Sequence, residues 1–183
     1  FNDQVNNNET INNGTFNAQV YNDMEIHDGT FTGNVTNDTN GQIYGGTFTG
    51  SLDFMMGTIV GGDFSGLTSL TIENGMTWDY DTAVGGTITN FGTISLGSFS
   101  GQVYNGDGMQ SGTINGGAFS GMVTNNGLIS DGAFAGVVYN QIGAISGGTF
   151  NGPIWSDFGG ISGGTFNGEV DGWGGTISGG TFN

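Results

Sequence analysis

The chain has 183 residues, with 16 acidic side chains, one His, no Lys and no Arg, for a net charge of −16. With no Lys or Arg to neutralise phosphate, nucleic acid and anionic membrane surfaces are poor partners, and only His27 and the amino terminus can join an internal ion pair. The absence of Cys removes disulfides and thiolate metal sites, and no run of about 18 apolar residues is present to insert into a membrane.

Forty Gly would by themselves suggest a linker, but 34% hydrophobic content and 14 Phe at regular spacing argue for a packed interior. In chain order, an aromatic follows Gly-Thr or its equivalent at Phe1, Phe16, Phe31, Phe48, Phe64, Tyr80, Phe99, Phe119, Phe134, Phe150, Phe166 and Phe182, at intervals of 15 to 20 residues. Tyr80 enters this series by position, one period beyond Phe64. Four residues past the aromatic stands Val5, Val20, Val35, Leu52, Val84, Val103, Val123, Val138, Ile154 or Val170, with a Gly such as Gly33, Gly121 or Gly168 halfway. Positions two apart share one face of a strand, and on this reading the Gly leaves room for the ring. A second apolar point closes each unit, at Ile11, Ile26, Ile43, Ile59, Ile94, Ile114, Ile129, Ile145, Ile161 and Ile177. Asn and Gly fill the gaps, where they are expected to supply positive φ angles at corners.

A period near 16 with two short strands and Gly-rich corners predicts an all-β fold, a parallel β-solenoid (β-helix). It has about 11 coils of about 15–20 residues with a stacked Phe ladder in the core, in one repeat domain over 1–183 that is irregular across 67–118. A helix would not carry Gly at this density, each costing about 1 kcal/mol relative to Ala. A calcium-binding RTX roll would need a nonapeptide with Asp after Gly-x-Gly-x, and no such series is present. At about 4.8 Å per coil the rod is roughly 50 Å long.

The Gly-Gly-Thr and Asn-x-Gly-x-Ile patterns, as in Asn125-Asn126-Gly127-Leu128-Ile129-Ser130-Asp131-Gly132, resemble repeat regions of autotransporter and haemagglutinin-type adhesins. The resemblance covers most of the chain. It implies an extracellular or cell-surface, right-handed β-solenoid that works in adhesion or as a stalk, and it brings no functional residues with it.

No catalytic constellation is expected. His27, beside Asp28 and near Glu25, reads as a solitary His on a polar corner rather than part of a Ser-His-Asp set. Asp79 and Asp81, two apart, could suggest a carboxylate pair of the glycosidase kind, and stacked coils could bring other acids together, but this acidic surface would repel a polyanionic sugar. Asp23 and Asp38 both fall seven residues after their aromatics, on neighbouring coils. They are candidate ligands for Ca²⁺ with backbone carbonyls, or else two solvated acids, and no other cofactor is expected. Asn8, Asn13, Asn34 and Asn37 begin Asn-x-Thr glycosylation sequons. Thr and Ser flank the second-strand Ile in Thr93-Ile94-Ser95 and Thr176-Ile177-Ser178, but Leu128, Ala144 and Gly160 interrupt the Thr array an ice-binding face would need.

Two functional classes follow. The first is a structural extracellular protein, a surface fibre, sheath or adhesin stalk. The chain starts and stops inside a repeat, so it is expected to belong to a longer array or to self-associate into a filament, since an exposed strand edge recruits another chain and head-to-tail contact propagates. The second is a binding module, in which outward Tyr21, Tyr104, Tyr139, Trp155 and Trp173 engage glycans or a host surface. Ice binding is a minor third.

Overall fold

The computed structural model describes residues 1–183 and shows a parallel β-solenoid of about 11 coils with no helix. Each coil contributes three short strands, one more than the sequence pattern suggests: one coil runs Thr15–Phe16, Val20–Asn22 and Glu25–Ile26. The Val strands form one unbroken 11-stranded sheet, whereas the Ile and Phe strands fall into separate groups before and after the fifth coil. Two regions, Thr113–Phe119 and Leu128–Phe134, run the Ile and Phe strands together.

Vertical columns of like residues make the core, one continuous cluster of 32 buried apolar side chains. Phe1, Phe16, Phe31, Phe48 and Phe64 stack ring on ring at 4.7–5.0 Å. A second stack runs from Phe99 through Phe119, Phe134, Phe150 and Phe166 to Phe182. Near-parallel rings at this separation follow from a coil rise that equals one strand spacing.

Tyr80 does not join the ladder. Val84 pairs with Phe99 and takes the ring position of its coil, so it is not a member of the Val column either. That column runs Leu52, Leu70, Ile88, Val103 through the irregular region. Trp78 occupies the Ile column beside Ile94 and lies edge-on to Phe64 at 5.3 Å. A Trp where the column has Ile is thus matched by a Val where the neighbouring column has Phe, which keeps the cross-section filled. Val84→Phe alone is expected to overpack this coil and cost about 1–3 kcal/mol, and Trp78→Ile alone to leave a cavity. Chemical denaturation of the double variant should recover much of the sum, and strict additivity would show that the two sites do not share volume.

The glycines act differently from the sequence expectation. The one that yields to the ring lies two residues before the Phe: a Cβ on Gly148, at φ +99°, would sit 3.3 Å from both the Phe134 and Phe150 rings. The glycine after the Phe serves stacking instead, since a Cβ on Gly136 would strike the carbonyl of Gly121 one coil earlier. Every positive φ belongs to Gly, so the asparagines do not form left-handed corners.

Many asparagines instead point inward. Two residues past each Val, Asn7, Asn22 and Asn37 pair in register, as do Asn90, Asn105, Asn125 and Asn140. All are buried. Within each run the side-chain Nδ2 donates to the Oδ1 of the next Asn, at 2.6 and 2.7 Å in the first run and 2.7–2.8 Å in the second, and Asn140 ends the second run by donating to the Ser156 hydroxyl at 3.1 Å. The remaining amide hydrogen of Asn90 and Asn105 reaches the carbonyl of Thr113 and Leu128, each the first residue of an Ile strand. The ladder therefore ties the Val strand to the Ile strand across an otherwise apolar corner. Phe54 and Ile72 break it. At one side of the gap Asn37 turns its amide to the carbonyls of Gly41 and Met56; at the other, Asn90 Oδ1 is left without a donor, because Ile72 precedes it in register.

Candidate functional site

The interior holds no chamber, so any ligand must meet the outer faces. The residues alternating with the buried Val and Asn positions form one outward column, including Tyr21, Thr36, Asp53, Thr71, Thr89, Tyr104, Thr124, Tyr139, Trp155 and Asp171. The alternation of a strand sends these outward as the sequence implied. Tyr21 and Tyr104 stand apart from other aromatics, each followed by a Thr one coil on.

Only toward the last coils do exposed aromatics converge. Tyr139 and Trp155 are register partners whose rings meet edge-to-face at 4.7 Å. Asp171 is the next member of the column, and Trp173 stands two residues beyond it with its backbone N–H on the Ser156 carbonyl. Together with Ser156 and Asp157 they line a surface cleft of about 260 Å³. The two coils present the same residue types in opposite order, Trp155-Ser156-Asp157 below and Asp171-Gly172-Trp173 above. Asp171 is therefore the register partner of Trp155 one coil below, and Asp157 and Trp173 each follow the end of their strand. Neither Asp157 nor Asp171 accepts a hydrogen bond from the protein. The five-residue aromatic set read from the sequence thus separates into a three-ring cleft and two isolated tyrosines; Asp157 and Asp171 were not singled out because their placement depends on inter-coil register.

A second depression, of about 370 Å³, lies over the Phe strands of the middle coils and is lined by small residues such as Ala83, Ser98, Ala118 and Ala133. It presents no charged group.

The other sequence candidates stay dispersed. His27 is exposed, with Nε2 2.9 Å from Glu25 Oε2 and its ring tilted against Tyr44. Asp79 and Asp81 are both exposed; Asp79 lies close enough to Tyr80 to add to the burial that raises the phenol above its ordinary value. Asp23 and Asp38 do follow the paired Asn22 and Asn37 on adjacent coils. Asp38, however, turns its carboxylate onto Thr39, accepting from its N–H at 2.7 Å and its hydroxyl at 3.0 Å. No group of three or more His, Asp and Glu side chains gathers around a common point, whereas Ca²⁺ takes six to eight oxygens. Two other carboxylates serve turns: hydrogen bonds from Ser65 hold Asp63 below the usual carboxylate range, and those from the Gln110 and Met109 N–H groups do the same for Asp107.

Among the sequons, Asn8, Asn13 and Asn34 are exposed. Asn37 is corrected: it is fully buried, accepts from Asn22 and donates to two carbonyls, so a glycan on its Nδ2 is incompatible with this packing. The column preceding Ile reads Thr77, Thr93, Thr113, Leu128, Ala144, Gly160 in register, which confirms the interrupted Thr array.

In comparisons with known proteins, no family model, no curated protein and no solved structure matches the chain.

Proposed function

We propose that the chain is a rigid structural rod of an extracellular surface assembly, a fibre, sheath or adhesin stalk of the kind formed by the repeat adhesins it resembles. The observation that carries this reading is the interior itself, in which stacked Phe, Val, Ile and Asn columns fill successive coils. Such a core makes length and stiffness its product: about 11 coils at about 4.8 Å give roughly 50 Å of rod. The same contact that joins coil to coil can join coils of different chains, because its columns repeat, and a head-to-tail contact of this type extends without closing. The lack of Lys and Arg leaves no site for trypsin-like proteases, which suits an external material.

Electron microscopy and small-angle scattering of the purified chain test this directly. Rods roughly 50 Å long, or multiples of that length joined end to end, are expected. A compact globular scattering profile, or immunogold label confined to the interior of the source cells, would overturn it.

A further inference from the structure

We propose that the Tyr139–Trp155–Trp173 cleft is a binding site for an organic cation, an alkylammonium or guanidinium group. The three aromatic rings supply negative π faces, and Asp157 and Asp171 place two unpaired carboxylates among them. The swapped order of Trp and Asp on adjacent coils puts an indole and a carboxylate on each coil of the lining, so one bound cation has both kinds of group within the same cleft.

Charge decides the class of ligand. The protein has 16 acidic residues and no Lys or Arg, so the potential over the cleft attracts cations and the chain cannot supply the counter-ion itself. An anionic ligand would find no positive group to meet it. A neutral sugar can stack on Trp155 and donate hydroxyls to the carboxylates, but it leaves both negative charges uncompensated, whereas a cation neutralises them. The cleft's size fits one cationic head with its immediate shell, since about 260 Å³ is below the 300–1,000 Å³ typical of sites for larger ligands. The source of the cation is either a small quaternary ammonium compound or a Lys or Arg side chain on another protein, and the chemistry is common to both.

The three Trp residues provide the test. Trp155 and Trp173 line the cleft, whereas Trp78 is fully buried in the core and serves as an internal reference. Titration of the full chain with tetramethylammonium chloride and, separately, with argininamide is followed through the indole N–H resonances, with NaCl at equal ionic strength as control. Saturable shifts of the Trp155 and Trp173 signals, with Trp78 unmoved, are expected. Asp157→Asn and Asp171→Asn should each weaken binding by about fivefold or more, and Trp155→Ala by at least as much. A preference for tetramethylammonium identifies a small-ligand site and a preference for argininamide a docking point for a basic side chain. The proposal is overturned if neither cation gives a saturable shift, or if a neutral oligosaccharide such as cellotriose saturates the same signals with an affinity that both Asp variants leave unchanged. An unshifted Trp78 signal in each variant verifies that the fold is retained.

Discussion

Replacing Asn105 by leucine is expected to destabilise the protein by about 2–5 kcal/mol, although the two side chains are close in size. Asn105 accepts from Asn90 at 2.7 Å and donates to Asn125 at 2.7 Å and to the Leu128 carbonyl at 3.2 Å. Leucine leaves an amide hydrogen of Asn90 and that carbonyl short of a partner in a region closed to water, each costing about 1–3 kcal/mol, while Asn125 Oδ1 keeps only the Gly127 N–H at 3.3 Å. The contrast is Asn167, which makes the same kind of inter-coil bond, to Asn151 at 2.7 Å, on the exposed surface. Asn167→Leu should stay within about 0.5 kcal/mol, since water replaces the lost partners. Urea denaturation of both variants decides the matter: equal and small losses would show that the inner ladder contributes register rather than stability. Filling the ladder's gap works in the opposite sense. Phe54→Asn together with Ile72→Asn would give Asn90 Oδ1 its donor, but at the cost of two buried apolar side chains, so no net gain is expected.

Phe119→Ala is expected to cost about 3–5 kcal/mol, as for a buried Phe. Phe119 is sandwiched between Phe99 at 5.0 Å and Phe134 at 4.8 Å, so its removal opens a cavity one coil high and strips a stacking partner from each neighbour. Because coils touch only their neighbours, stability in such an array approximates a sum of nearest-neighbour terms. A defect inside the rod should therefore do more than lower the midpoint. It should weaken the coupling between the coils on either side, and amide hydrogen exchange is expected to accelerate first in the coils around Thr113–Phe119. Phe182→Ala, at a half-exposed ring, should cost much less. Exchange that rises uniformly along the variant would show instead that the rod unfolds as one unit.

Composition and period were enough to read a parallel solenoid of about 11 coils and most of its Phe, Val and Ile columns, because identical offsets in successive units imply identical environments once coils stack. In the fifth coil that logic failed. There the spacing favoured Tyr80 for the ring column, but Val84 takes it and Trp78 compensates from the next column, an exchange of volume between columns that spacing alone does not encode. The asparagines were misread for a related reason. In sequence an Asn in a Gly-rich stretch looks like a corner; only the register shows Asn22, Asn105 and Asn125 facing inward with their amides in line. Residue types and repeat length thus determined the architecture, since backbone hydrogen bonding admits few ways to stack a 16-residue unit. The tertiary structure alone decided which polar groups are buried, which glycine makes room for the ring, and that Trp155 and Asp157 meet Asp171 and Trp173. Each of these depends on what lies one coil above or below, a separation along the chain that varies from 15 to 20 residues and is set by packing rather than by any local preference.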